Sequence, residues 1–341
     1  MNFNDTLKLG KTPLQVTQLG LGGAPLGDLY AQIPESDAIA TIETAYLEGI
    51  RLFDTSPFYG YGLSEHRFGH VLRQYPRDSF VLSTKVGRTI KPQEPSRIDR
   101  GHWYNTLPFE PTYDYSYDGV MRQVEDSLQR LATHRIDVLL IHDVDVWTHG
   151  TIAETQKRFK QAMEGAYVAL DKLRNSGVVK AIGCGLNQWE MCEHFARSGD
   201  FDCFLLAGRY TLLEQSALDK FLPLCLEKNI AIILGGPYNS GILATGAIEG
   251  AFYNYKKASP EIISKVGKLE MICKKYNVPL AAAAIQFPLA HPAVTSIIPG
   301  AVKPSEVKEN ISMINMDIPL SLWQELKDQE LLHQEAPIPC E

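Results

Sequence analysis

Cysteine is sparse in this chain: six residues, at 184, 192, 203, 225, 273 and 340, are spread over 341 positions without a single C-x-x-C pair. That dilution argues against a disulfide framework and predicts reduced thiols in a cytoplasmic protein, with Cys184 and Cys203 packed in the core. An excess of basic residues is also missing. Lys and Arg number 33 against 40 Asp and Glu, a net charge of −7, so nucleic acid is not an expected partner. Long apolar runs are missing too. The best candidate, VPLAAAAIQFPLA (278–290), is interrupted by Pro279, Gln286 and Pro288 and falls short of the roughly 18 residues a membrane span needs. The opening MNFNDTLKLGK has no apolar stretch of the kind a secretory signal requires. No metal site is expected, because His142 and His149 are too far apart for a helical ligand pair and no H-x-x-x-H or cysteine cluster exists. Nothing in the sequence specifies an oligomeric state.

What is present is a globular composition, 45% hydrophobic and 21% charged, arranged as a repeated alternation of short apolar runs and amphipathic stretches. The runs lie at 16–23, 51–55, 80–85, 137–143, 178–184, 202–208, 229–236 and 293–298. Helical spacing follows them at 36–49, 63–73, 118–132, 152–175, 188–198, 214–228, 259–276 and 303–315. The runs are continuously apolar, the pattern of parallel strands covered on their outer face. Eight strand–helix pairs predict one α/β domain over 1–341, a (β/α)8 TIM barrel with long loops at its C-terminal face. A doubly wound sheet would need G-x-G-x-x-G opening the first helix, and residues 20–24 lack that spacing. The two long loops, 87–117 and 236–258, are rich in aromatics and fall at the mouth where barrel enzymes place their sites.

Three ionisable residues end consecutive strands: Asp54 in RLFD, Lys85 in FVLSTK and His142 in DVLLIH. Adjacent parallel strands bring those ends to one rim, and Tyr59 lies five residues beyond Asp54. A lysine beside a phenol is expected to lower the tyrosine pKa, and an aspartate to hold the lysine charged and oriented. Such a set moves protons at a carbonyl or carbinol oxygen but offers no nucleophile, so the electrons must come from a hydride cofactor.

These residues, with their surroundings, resemble the aldo-keto reductase family over essentially the whole chain. RLFDTSPFYGYGLSE (51–65) resembles the strand-two signature, which implies catalytic roles for Asp54, Tyr59, Lys85 and His142. VVKAIGCGLNQWE (178–190) resembles the nicotinamide-binding segment, and SIIPGAVKPSEVKEN (296–310) the adenosine-phosphate segment. Cofactor contacts are thereby implied for Gly22, Gly23, Asp54, Gly185, Asn187, Gly236, Pro237, Ser240, Gly241, Glu306 and Asn310. Substrate contacts are implied for Tyr30, Tyr59, Trp103, His142 and Trp147. GLGGAPLGDLY (20–30), LPFEPTYDYSYDG (107–119), IHDVD (141–145) and LLAGRYTLLEQ (205–215) resemble the branch of aldose 1-dehydrogenases, with pyridoxal dehydrogenases similar over the same segments. The branch implies oxidation of a hemiacetal carbon to a lactone. The expected substrate is a sugar of the L-fucose type, with pyridoxal or another aldehyde as the alternative. A Schiff-base aldolase using Lys85 and a redox-sensing subunit without turnover are weaker alternatives. NAD is expected over NADP: NADP-using relatives carry cations where this chain has Gly300 and Glu306, although Lys303 leaves NADP within reach.

Overall fold

The computed structural model describes residues 2–339. Eight strands form one sheet: β1 (Leu21–Gly22), β2 (Leu52–Asp54), β3 (Val81–Val86), β4 (Val138–His142), β5 (Ala181–Leu186), β6 (Cys203–Ala207), β7 (Ala231–Gly235) and β8 (Val294–Ile298). Neighbours in the sheet are neighbours in sequence, and every pair is parallel. The sheet curls into the predicted (β/α)8 barrel. Its first and last strands meet through isolated parallel bridges, Leu19 with Ile297 and Gly22 with Gly300. Three backbone bonds hold that joint: Gly20 N–H to Ile297 O, Ile297 N–H to Gln18 O and Gly22 N–H to Pro299 O.

The period-two geometry of a strand explains the apolar runs. One parity points inward: Leu52, Val81, Val138, Leu140, Ala181, Cys203, Leu205, Ala231, Ile233 and Ile298 fill the barrel. An antiparallel hairpin, Thr6–Lys8 with Gln15–Thr17, closes the lower end and adds Leu9 and Val16 to this cluster. The other parity, including Phe53, Leu82, Leu139, Ile182, Phe204 and Ile232, packs outward under the helices. Both faces are buried, so no alternation survives in the sequence.

Several elements depart from expectation. The first run, 16–23, is divided between the hairpin strand and β1, because Gln15–Thr17 pairs backwards with Thr6–Lys8 rather than with the barrel. The stretch 214–228 is only partly helical, a 3-10 turn at Ser216–Leu218 and a helix at Phe221–Glu227. VPLAAAAIQFPLA contains a buried helix, Leu280–Gln286, whose Gln286 side chain donates to Met313 O and Met316 O at 2.8 and 2.7 Å. A further helix, Leu320–Asp328, lies beyond the eight expected pairs and buries Leu322, Trp323 and Leu326. The long helix over 152–175 is interrupted by a π turn at Ala162–Tyr167. There Gly165 approaches the backbone of Tyr115, and a Cβ would lie 2.3 Å from Tyr115 O. Both long loops contain hairpins: Arg88–Pro92 pairs with Phe109–Tyr113, and Phe252–Tyr253 with Lys256–Lys257.

Candidate active site

The inward parity that fills the barrel carries its ionisable residues to the rim. Asp54 follows Leu52 by two positions, Lys85 follows Val81 and Ser83, and His142 follows Val138 and Leu140, all on strands whose neighbouring residues pair in register. Each therefore continues an inward-pointing column one layer above the apolar core. Lys85 Nζ lies 2.6 Å from Asp54 Oδ2 and donates to Thr55 O at 2.8 Å, while Ser83 Oγ donates to Asp54 Oδ1 at 2.8 Å. The pair is buried. A buried ion pair persists only when its remaining hydrogen bonds are satisfied, and here the serine and the Thr55 carbonyl supply them. Desolvation nevertheless raises the Asp54 pKa, with Lys85 and Ser83 pulling it back.

Tyr59 sits above this pair, with Lys85 Nζ 4.7 Å from its ring centroid and the His142 ring nearly perpendicular at 5.9 Å. The four predicted catalytic residues are thus brought together. One electrostatic expectation is reversed. Burial pushes the Tyr59 hydroxyl well above its ordinary pKa of 10, with the carboxylates of Asp54 and Asp143 adding to the rise and Arg88 opposing it. Lys85 is already engaged by Asp54 and Thr55 and lies against the ring face, so it does not draw the phenol down. Tyr59 is a neutral phenol at neutral pH.

Two joined cavities open at the mouth. The larger, about 810 Å³, contains Lys85, His142, Trp103 and Trp147 in its lining. Trp103 is buried and meets Phe58 edge-on at 5.4 Å and Tyr59 at 5.8 Å. Trp147 stacks against the Arg209 guanidinium at 4.4 Å. The smaller, about 360 Å³, runs along the ends of β1, β7 and β8. Tyr59 and Asn187 line both. Gly22, Gly23, Asp54, Gly236, Pro237, Ser240 and Gly241, for which cofactor contacts were expected, line the smaller cavity.

Four placements differ from expectation. Tyr30 lines the smaller cavity rather than the substrate cavity, its ring 5.9 Å from that of Phe252 on the opposite loop. Gly185 lies in the larger cavity, where an added Cβ would come within 3.3 Å of Lys85 Cε; its missing side chain makes room for the lysine. Glu306 lines neither cavity. Its carboxylate accepts from Val302 N–H at 2.8 Å and closes the turn before helix Pro304–Ile314. Asn310 is also outside the lining and accepts from the Tyr238 hydroxyl at 2.7 Å.

The smaller cavity fits a dinucleotide on two observations. Its walls are rich in glycine, with open space above Gly241 where a side chain would project. Asn239, buried in the same wall, donates to Gly208 O at 3.1 Å while its Oδ1 has no partner, and an orphaned buried acceptor awaits a donor. Asn239 and Ser240 both take positive φ, 46° and 60°, which turns this loop tightly along the groove.

Residues given no role from the sequence support the larger cavity: Arg88 and Asp143 line it, and Asp145 is buried outside its lining. Arg88 pairs with Asp143 at 2.8 Å, stacks on Phe58 at 4.0 Å and comes within 3.2 Å of His142 Nδ1. Asp145 is fully buried and accepts from Thr148 N–H and Asn187 N–H at 2.9 and 3.2 Å. Arg88 carried no sequence signal beyond charge after a strand end, and Asp143 and Asp145 stood in the IHDVD segment without a role attached to either.

The Aldo/keto reductase family model matches residues 18–329. The chain is 43% identical over 336 residues to pyridoxal 4-dehydrogenase of Microbacterium luteolum, covering 95% of this chain and 97% of the relative. It is 36% identical to D-threo-aldose 1-dehydrogenase of a Pseudomonas species, covering 94% and 95% of the two chains. In structure it is similar to an aldo-keto reductase from Bacillus halodurans in its holo form, with TM-score 0.74, 22% identity and 97% and 99% coverage. Glycerol dehydrogenase from Gluconobacter oxydans follows at TM-score 0.70, with 21% identity and 99% and 98% coverage. Aldo-keto reductases work with NAD or NADP. A barrel with this rim, joined to matches over nearly its whole length, belongs to the aldo/keto reductase family, and the protein is an oxidoreductase.

Proposed function

We propose that this enzyme oxidises a cyclic hemiacetal to a lactone with a nicotinamide cofactor. The observation that carries the reading is the position of Tyr59, in the wall shared by the two cavities, over the Lys85–Asp54 pair and beside His142. A nicotinamide dinucleotide in the smaller cavity, held by the glycine wall, Asn187 and Asn239, supplies the hydride acceptor. Lactone formation removes a hydride from the hemiacetal carbon and a proton from its hydroxyl. Tyr59, as phenolate, takes that proton. His142 holds the same oxygen, and Lys85, pinned by Asp54, keeps a positive charge against the phenol ring. In the reverse direction Tyr59 gives its proton to a carbonyl oxygen. The same pinning disfavours an aldolase, since an ammonium bonded to a buried carboxylate and a carbonyl is not a free amine nucleophile.

The larger cavity favours a flat aromatic substrate. Phe58, Trp103, Trp147 and Tyr255 contribute ring surfaces to its walls, and such surfaces suit stacking on a pyridine ring better than binding a ring of hydroxyls. The 43% identical relative is a pyridoxal dehydrogenase, which supports pyridoxal, itself an internal hemiacetal, over the L-fucose type of aldose. Asn187, Asn254 and Thr148 also line the cavity, and their amides and hydroxyl keep the aldose as the second reading. NADH formation measured with pyridoxal, L-fucose and D-arabinose decides: the highest kcat/KM is expected with pyridoxal, and no turnover with any of the three removes the reading.

NAD is the proposed partner rather than NADP. Glu306, its carboxylate held on Val302 N–H, stands in the segment where NADP-using relatives carry a cation, so this position offers no positive charge to pair a 2′-phosphate. Glu306→Arg is expected to raise kcat/KM with NADP relative to NAD. Native efficiency with NADP equal to that with NAD would sink the preference.

A further inference from the structure

We propose that Arg88 is a positioning residue that locks His142 as a neutral imidazole with its proton on Nε2, so that His142 orients the reacting oxygen as a hydrogen-bond donor. The proposal rests on the dehydrogenase reading for its catalytic meaning, but the lock is a property of the protein alone.

Arg88 is carried inward by the turn at Gly87, whose φ of 115° and close approach to the Tyr115 ring leave no room for a side chain. It is 6% exposed, with its guanidinium packed on Phe58. Nη2 donates to Asp143 Oδ2 at 2.8 Å, and Nη1 stands 3.2 Å from His142 Nδ1. A guanidinium has donors only and keeps its charge at any pH of interest. The ring nitrogen facing it must therefore present a lone pair. Ser56 Oγ is also 3.2 Å from Nδ1, but a hydroxyl serves either role and does not fix the tautomer. The proton of the neutral ring is left on Nε2, which lies 3.5 Å from Asp143 Oδ2. His142 and Asp143 both line the larger cavity.

The groups around His142 come from every neighbouring strand end: Lys85 from β3, Arg88 from the hairpin, Tyr59 from the loop after β2, and Asp143 just past the end of β4. Tyr115 donates to the His142 carbonyl at 2.8 Å, and β5 presents only Gly185. Burial and the two cations, Arg88 and Lys85, hold His142 well below its ordinary pKa of 6.5. Proton transfer thus falls to Tyr59, while His142 aims the oxygen.

The test is nitrogen-15 NMR of histidine-labelled full-length protein, with His142 assigned from the spectrum of His142→Gln. In the native protein we expect one neutral tautomer, Nδ1 unprotonated, unchanged from pH 5.5 to 9. The double variant Arg88→Met with Asp143→Asn removes both charges, so no carboxylate is left buried without its partner. It should show a second tautomer or a titration, an added ionisation on the acid side of kcat/KM, and a kcat lowered roughly ten- to a hundredfold, the range a hydrogen bond to a charged group spans. Should that variant not fold, Arg88→Lys serves: a single ammonium bound to Asp143 leaves Nδ1 without its donor, and the second tautomer should appear. A native Nδ1–H tautomer, or a variant with the native tautomer and pH profile, overturns the lock. Absence of turnover on any hemiacetal would instead strike the dehydrogenase reading, and the spectra would still decide the lock.

Discussion

Tyr59 isolates the proton chemistry in one hydroxyl. Tyr59→Phe keeps the ring that separates the two cavities, so turnover should fall by roughly 10²–10⁴-fold, the usual worth of a positioned acid or base. NADH affinity, read by fluorescence titration, should stay nearly constant. Retained turnover would remove Tyr59 from its role. The sign of the pH dependence follows from burial. The folded phenol titrates well above 10, and oxidation uses its ionised form. The phenolate fraction then gains tenfold per unit of pH throughout the neutral range. Oxidative kcat/KM should climb steadily with pH, while carbonyl reduction, which uses the neutral phenol, should not. An oxidative profile already level at pH 7 would contradict this. At this scale the sequence was informative where chemistry and strand position coincide, as at Asp54, Lys85 and His142. It was silent on Arg88 and Asp143, whose significance depends on a guanidinium folding back over Phe58 across a turn. It misjudged the Tyr59 pKa because proximity to a lysine says nothing about what already holds that lysine.

Elements show a similar division. Helices and barrel strands follow from apolar spacing, but the hairpin Arg88–Pro92 with Phe109–Tyr113 does not. Its strands contain Pro92 and Pro111 and bury only part of their surface, so neither propensity nor alternation marks them. Between these strands the chain returns over the cavity and delivers Trp103, bridged to Leu29 by backbone pairing. Trp103 belongs to a small separate cluster with Tyr61 and Ile98. Trp103→Ala should therefore raise KM for the hemiacetal far more than it changes NADH affinity. Equal effects on both, or a fall in melting temperature with KM unmoved, would make the tryptophan a packing residue. The π turn at Ala162–Tyr167 was equally illegible: a lone Gly165 in a helical pattern gives no hint that Tyr115 needs its space.

For the molecule as a whole, the continuous apolar runs determined the architecture, because a parallel barrel buries both faces of each strand. The exact extents did not follow, since the ladder of β1 is only two residues long and its run continues into a hairpin beneath the barrel. That brevity has a consequence. The joint between β1 and β8 is a seam, held by the three bonds among Gln18, Gly20, Gly22, Ile297 and Pro299, whereas β4 and β5 share a full ladder. Opening free energies vary across a fold, and a short ladder places a seam at the low end. The smaller cavity lies across this seam, with Gly22 and Gly23 on one lip and Ile298, Pro299 and Gly300 on the other. A dinucleotide bound there is expected to act as a clasp. Amide exchange at Gly20, Gly22 and Ile297 should slow markedly when NAD is added, while exchange at Leu139 and Ile182 stays as it was, and unaltered seam amides in the saturated complex would refute the clasp. If the clasp holds, the coenzyme groove is also the barrel's fastening, and limited proteolysis without coenzyme is expected to cut first along this seam.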